Sequence, residues 1–118
     1  MTTKEIAKRF YELAQQGNWN AIQNEMYHEN AKSIEPQQSE GLKTVTGMDA
    51  IRQKGKEWEA TIEAMHSGYC NEPQVAGDYF TCVMGFDATF KGRGRMKMDE
   101  IALYKVKDGK IVSEQFFY

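Results

Sequence analysis

The chain has 118 residues, of which 41% are hydrophobic and 27% charged, and its formal net charge is −2. This length and composition fit one globular domain over residues 1–118, which needs no metal or disulfide to hold its core. The slight acidic excess argues against nucleic acid as a partner, and no apolar run approaches the roughly 20 residues of a membrane span, so we expect a soluble, cytoplasmic protein.

Two amphipathic helices are predicted at the start of the chain. Thr2 and Glu5 have the spacing of a capping box, and apolar residues recur at three- and four-residue steps from there to Gly17. Asn18 is then placed to cap a shorter helix that ends near Tyr27. The two helices lie close together in the sequence, which predicts a helical hairpin.

Short extended segments and a third helix follow this hairpin. Residues 33–35 have an extended pattern that stops at Pro36, and residues 42–46 have one that stops at Gly47. A third amphipathic pattern covers residues 49–61. The first half of the chain is therefore predicted to hold three helices and two short strands.

The second half of the chain has the pattern of an antiparallel sheet. Four extended segments, at residues 62–70, 80–90, 96–106 and 111–118, are separated by turn residues, and an Asp-Gly pair forms the last turn. Helices followed by such a meander predict an α+β fold. We expect the three helices to pack on one face of the sheet.

Glu100 lies in the mainly apolar row of its predicted strand. The Asp-Gly turn allows two registers for the strand that follows. A three-residue loop with a glycine bulge sets Glu100 opposite Phe116, and Glu114 and Tyr118 then share its face. A two-residue loop brings the alternate residues of the last strand to that face: Ile111, Ser113, Gln115 and Phe117.

The sequence carries no motif for metal, nucleotide or serine-hydrolase chemistry. It has no CxxC pair, no HExxH, no GxSxG and no glycine-rich phosphate loop, so we expect no metal and no cofactor. Cys70 and Cys82 are predicted to be buried thiols. His66 titrates in a useful pH range, and its strand pattern leaves open which side of the sheet it faces.

Four segments of the chain, taken with the order of the predicted elements, point to a known family. They are Arg9 to Asn20, Ser33 to Pro36, Gly47 to Arg52 and Asp108 to Val112. Their arrangement resembles the nuclear-transport-factor-2-like superfamily, which contains ketosteroid isomerase and the SnoaL-like polyketide cyclases. The resemblance covers nearly the whole chain. It implies a cystatin-like cone, in which a curved antiparallel sheet wraps three helices around a pocket, and a homodimer formed through the sheet.

At some of the isomerase's functional positions this chain has a matching residue, and at others it has a different one. Glu35, directly before Pro36, matches the carboxylate that shuttles a proton in the isomerase. Phe10 stands where the isomerase has a tyrosine that donates to the developing oxyanion, and phenylalanine has no donor. Ala102 stands where the isomerase has a protonated aspartic acid, and Glu100 lies two residues away on the same face.

These positions predict an acid-lined cavity. Glu35, Glu100 and Glu114 are expected to converge there as catalytic residues, with His66 as a further candidate. Apolar and aromatic side chains are expected to line the cavity and contact the substrate: Phe10, Met84, Phe86, Met98, Phe116 and Tyr118. Burial and mutual repulsion raise the pKa of carboxyl groups in such surroundings, so that one of them can stay protonated at neutral pH.

The resulting hypothesis is a cofactor-independent enzyme that moves protons on a small apolar carbonyl compound, as an isomerase or cyclase does. The alternative is a non-catalytic binding module for a lipophilic small molecule, which the missing tyrosine at Phe10 favours. A third possibility is an interaction scaffold whose pocket is filled by its own side chains. A cavity below the roughly 300 Å³ of common ligand sites would favour that scaffold.

Overall fold

We describe the protein from a computed structural model that covers all 118 residues. Its three helices are α1 (Thr3–Gln15), α2 (Trp19–Met26) and α3 (Met48–Ala60). Its seven strands are β1 (Tyr27–Ile34), β2 (Val45–Thr46), β3 (Ile62–Cys70), β4 (Gln74–Ala76), β5 (Tyr79–Phe90), β6 (Gly94–Lys107) and β7 (Lys110–Phe117). None of the helices is both long enough and apolar enough to cross a membrane.

The helices begin where the sequence predicts. The Thr2 side chain accepts a hydrogen bond from the Glu5 backbone, and the Glu5 carboxylate accepts one from the Thr2 backbone, which completes the capping box of α1. The Asn18 side chain caps α2 by accepting from the Ala21 backbone. Local capping chemistry therefore sets both starts.

The strands form one curved, open sheet in the order β2-β1-β7-β6-β5-β3, with β4 paired to β5. The fold is thus the predicted α+β cone. One pairing differs from the prediction, because β1 runs parallel to β7 and the sheet is mixed rather than antiparallel. The two strands lie far apart in the sequence, and no local turn residues indicate that they pair.

The strands β1, β2 and β4 differ most from the sequence prediction, and the bounds of β5, β6 and β7 differ by one or two residues. β1 begins at Tyr27, directly after α2, because its polar stretch His28 to Asn30 faces solvent and hides the alternation. β2 keeps only the last two residues of the predicted segment 42–46. β4 was not predicted, and it pairs with the start of β5.

The β6–β7 hairpin combines features of both predicted registers. Asp108 and Gly109 have φ of 51° and 76° and form a two-residue turn, since both central residues have positive φ. A bulge one pair further along then shifts the register, so that Glu114 pairs with Tyr104 and Phe116 with Ala102. The predicted pairing of Glu100 with Phe116 is therefore wrong. The expected face is nevertheless the one that points inward.

Phe10 is part of the hydrophobic core. Its side chain is fully buried, and its ring lies 5.3 Å from that of Phe80 and 4.7 Å from that of Tyr104. The rings of Phe80 and Tyr104 stack at 4.8 Å. These three aromatic side chains join α1 to the inner face of the sheet, and they close one end of the cone.

Candidate active site

A cavity of about 200 Å³ lies between α3 and the inner face of the sheet. Its walls are mainly apolar, and three glutamates and one lysine contribute the charged groups. The lining residues are Gln23, Glu35, Leu42, Ile51, Lys54, Gly55, Trp58, Phe86, Met98, Glu100, Glu114 and Phe116. The inner cavity by itself is below the roughly 300 Å³ of common ligand sites, which favours the interaction scaffold, and only together with an adjoining groove does the space reach that range.

A larger groove of about 890 Å³ adjoins this cavity. The two share five lining residues, which are Leu42, Lys54, Trp58, Phe86 and Met98. Tyr118, at the end of the chain, lines the groove. A ligand that enters through the groove can therefore place one end in the inner cavity.

Glu35 follows β1 directly, and Pro36 ends the strand at this point. Its carboxylate is buried and both of its oxygens are engaged. The Lys54 ammonium pairs with Oε2 at 2.7 Å, and the Tyr118 hydroxyl donates to Oε1 at 2.8 Å. The backbone N–H of Glu35 donates to Thr44 Oγ1 at 3.0 Å. These contacts fix the carboxylate at the cavity wall.

Glu114 lies deeper than Glu35. Ser33 donates to Glu114 Oε2 at 2.6 Å, and the Tyr27 hydroxyl donates to Oε1. Burial raises the pKa of Glu114, and the hydrogen bonds from Ser33 and Tyr27 and the charge of Lys54 oppose that rise. Both oxygens accept hydrogen bonds from buried hydroxyl groups of β1, so Glu114 joins β7 to β1.

Glu100 is the carboxyl group of the cavity that no hydrogen bond engages. It lies on β6 and pairs with Met84 of β5. Burial raises its pKa to about 7, and the charges of Glu35 and Glu114 add to the rise. A substantial fraction of Glu100 is therefore protonated at neutral pH, and its hydroxyl is free to donate into the cavity.

Lys54 is a site residue that the sequence prediction missed. It lies on α3, and its Nζ donates to Glu35 Oε2 at 2.7 Å and to Ser33 Oγ at 2.6 Å. Lys54 follows Ile51 by three residues and precedes Trp58 by four, so all three lie on one face of the helix. That spacing was the available signal, because it places a lysine within an apolar stripe.

Comparisons with known proteins identify the family. The model of the SnoaL-like domain family matches residues 1–118. The chain belongs to the SnoaL-like domain family. No curated protein matches it.

Solved structures agree with this assignment. A Mesorhizobium loti protein described as a candidate SnoaL-like polyketide cyclase is 39% identical, with full coverage of both chains and a TM-score of 0.92. A nuclear-transport-factor-2-like protein of unknown function from Burkholderia pseudomallei is 13% identical, covering 98% of this chain and 89% of its own, with a TM-score of 0.78. A Catenulispora acidiphila protein with a ketosteroid isomerase-like fold, in complex with trimethylamine, is 22% identical, covering 99% and 87%, with a TM-score of 0.68. The last two similarities show the fold.

The SnoaL-like domain brings most of the predicted site residues together. Glu35, Glu100 and Glu114 line the inner cavity, as do three of the predicted wall residues: Phe86, Met98 and Phe116. Tyr118 reaches the site through its hydrogen bond to Glu35.

Three predicted site residues lie outside the cavity. Phe10 belongs to the core at the closed end of the cone, and Met84 is buried beside Glu100 without lining the cavity. His66 is exposed on the edge strand β3, where its Nε2 lies 2.7 Å from Thr89 Oγ1. Bulges in β3 shift the register on either side of Met65, so the alternation of the sequence does not report where His66 faces.

Proposed function

We propose that this SnoaL-like domain is a cofactor-independent enzyme that moves a proton next to the carbonyl group of a small apolar compound. The observation that carries the proposal is Glu100, a carboxyl group without a hydrogen-bond partner whose pKa is raised to about 7 inside a mainly apolar cavity. Perturbed acids of this kind are typical of general acid–base sites. The similarity to a candidate polyketide cyclase supports the same class of chemistry.

In the proposed step Glu35 is the base and protonated Glu100 is the acid. The bond between a carbon and its hydrogen next to the carbonyl breaks, and the proton moves to the Glu35 carboxylate. The electron pair of that bond forms a carbon–carbon double bond, and the carbonyl π electrons move to the oxygen, which Glu100 stabilises by donating its proton or a hydrogen bond. The proton on Glu35 then returns to a different carbon of the conjugated enol or enolate, and any proton that Glu100 gave to the oxygen returns to Glu100 as the carbonyl re-forms, which gives an isomer.

Exchange of protons in D₂O tests this proposal without knowledge of the natural substrate. We expect the wild-type protein to accelerate α-proton exchange of cyclohexanone or cyclohex-2-enone, followed by ¹H NMR, over the rate in buffer. Glu35→Gln should lower the accelerated rate by about 10²-fold to 10⁴-fold, the usual contribution of a general base. Glu63→Gln, on the exposed face of β3, is the matched control and should leave the rate unchanged. A wild-type rate no higher than that of Glu35→Gln contradicts the proposal.

A non-catalytic binding module for a lipophilic small molecule is the second candidate. It is favoured by the engagement of both Glu35 oxygens, by Lys54 and by Tyr118, which leaves this carboxylate less free to accept a proton. This candidate predicts that ligand affinity survives Glu35→Gln and that no proton exchange is catalysed.

We also propose that the domain forms a homodimer through the outer face of its sheet. Val83, Ile101 and Phe117 lie side by side across β5, β6 and β7, and each is between 43% and 48% exposed. Neighbouring apolar side chains of this size on one face are typical of a surface that another chain covers.

A further inference from the structure

We infer that Lys54 is a ligand-binding residue whose ammonium donates a hydrogen bond to an acceptor oxygen of the ligand, and that it takes the role of the oxyanion donor absent at Phe10. The inference deepens the proposed function and rests on it for the catalytic role of that oxygen. It specifies the ligand as a neutral compound whose carbonyl oxygen enters the inner cavity first.

The donor count of the ammonium group is the first argument. A lysine Nζ carries three N–H donors and no acceptor. Two of them are used, one by Glu35 Oε2 at 2.7 Å and one by Ser33 Oγ at 2.6 Å. Lys54 itself lines the cavity, and its side chain is only 11% exposed. The third N–H has no hydrogen-bond acceptor in the structure, where Nζ lies 6.0 Å from the centre of the Phe116 ring in the cavity wall, so this donor is available to a ligand oxygen.

The surrounding contacts hold this ammonium in place. Ser33, which is fully buried, accepts from Lys54 and donates to Glu114, and Glu114 also accepts from Tyr27. The chain of hydrogen bonds ties α3 to β1 and β7, so Lys54 is fixed before a ligand arrives. Pre-organised donors of this kind stabilise a developing negative charge without reorganising during the reaction. Ser33, Glu114 and Tyr27 are thus positioning residues for Lys54.

The flow of charge in the proposed step fits the same role. When Glu35 accepts the proton from carbon it loses its negative charge, and an equal charge develops on the ligand oxygen. Lys54 is paired with Glu35 before the step and becomes free to stabilise that oxygen during the step. The Lys54 ammonium therefore neutralises the negative charge on Glu35 before the step and on the ligand oxygen after it.

A pair of matched probes tests the inference through binding alone. Cyclohexanone and methylenecyclohexane have the same ring, and only the ketone has an acceptor oxygen. We expect the wild-type protein, titrated by NMR, to bind the ketone more tightly. A hydrogen bond from a charged donor is worth about 1.5–3 kcal/mol, so the preference should be roughly 10-fold to 100-fold.

Two variants distinguish the contribution of Lys54 to ketone binding from that of its ion pair with Glu35. Glu35→Gln keeps the lysine and should keep the preference for the ketone. The double variant Lys54→Met with Glu35→Gln removes both members of the ion pair, so Glu35 is not left as an unpaired buried charge. It should lower the ketone preference by about 10-fold or more relative to Glu35→Gln, to what the Glu100 donor alone provides. The amide NMR spectra of both variants should match that of the wild-type protein, as expected if the fold is retained.

Each other outcome overturns the inference. A ketone preference as large in the double variant as in Glu35→Gln shows that Lys54 does not contact the oxygen. A wild-type protein without the preference, whether it binds both probes or neither, shows the same. These readouts do not depend on turnover, so a failure of proton exchange together with a Lys54-dependent preference would reject the proposed enzyme and retain the Lys54 contact.

Discussion

Three glutamates around one cavity differ in what their oxygens contact. Glu35 forms an ion pair with Lys54, Glu114 accepts from two buried hydroxyl groups, and Glu100 accepts no hydrogen bond. The same side chain is therefore a paired carboxylate, a structural acceptor and a titrating acid within a single site. Their surroundings, rather than their residue type, set these roles.

The raised pKa of Glu100 makes stability depend on pH. Its pKa lies near 4.5 in the unfolded chain and at about 7 in the folded one, so the stability present below pH 4.5 is lost as the pH rises through 7. Glu100→Gln removes this loss. The gain in the free energy of unfolding of the variant over the wild-type protein should therefore be about 3 kcal/mol larger at pH 8 than at pH 4.5. Urea unfolding of both proteins at the two pH values measures the difference. An equal effect at both pH values contradicts the assignment.

Proton exchange should also depend on pH through Glu100. Because the proposed step needs the protonated acid, the rate of cyclohexanone exchange should fall as the pH rises above 7. Glu100→Gln should be slower and should lose this fall. A wild-type profile that rises through pH 7 would indicate that Glu100 acts as a base instead.

At the residue scale, the structure brings to one cavity glutamates that were singled out in two ways. Glu35 was indicated by the resemblance to ketosteroid isomerase, whose carboxylate also precedes a proline, and Glu100 by its place in an apolar row. Lys54 was missed because a lysine on an amphipathic helix usually faces solvent, and only its tertiary contacts with Ser33 and Glu35 show otherwise. Its pairing depends on how α3 crosses β1, which no local pattern encodes.

Glycine has opposite effects on stability in two elements, and replacing it by alanine at each of the two positions distinguishes them. Gly109 has φ of 76° in the β6–β7 turn, so Gly109→Ala should destabilise the protein by about 1 kcal/mol. Gly55 lies inside α3, where an added Cβ meets no atom within 4 Å, so Gly55→Ala should stabilise it by up to about 1 kcal/mol. Thermal unfolding of both variants checks the signs. The same sign for both would contradict the described backbone.

At the scale of elements, the features set by local chemistry were predicted better from the sequence than the pairing of strands that lie far apart in the chain. The bounds of β3 agree with the predicted segment 62–70, and the caps of α1 and α2 are those expected from Thr2 and Asn18. No local sequence pattern indicated the β7 bulge or the parallel pairing of β1 with β7. The bulge matters most, because it turns Glu114 and Phe116 inward.

For the whole molecule, we predict a homodimer through the outer sheet face. Ile101→Lys places a charge at the centre of the row formed with Val83 and Phe117, and should give a monomer in sedimentation or light-scattering measurements at micromolar concentration. Asn20→Lys adds the same charge on the exposed side of α2 and should leave the dimer intact. A monomeric wild-type protein, or an Ile101→Lys variant that stays dimeric, contradicts this interface.

The central claim is that Glu100 is an acid held partly protonated at neutral pH beside the Glu35 carboxylate. Carbon-detected NMR of the glutamate carboxyl groups measures it directly, with the Glu100 signal identified by its loss in Glu100→Gln. We predict a titration midpoint near 7 that falls in Glu35→Gln, because the Glu35 charge contributes to the raised pKa. A midpoint near the ordinary value of 4.5, unchanged by Glu35→Gln, would contradict the account.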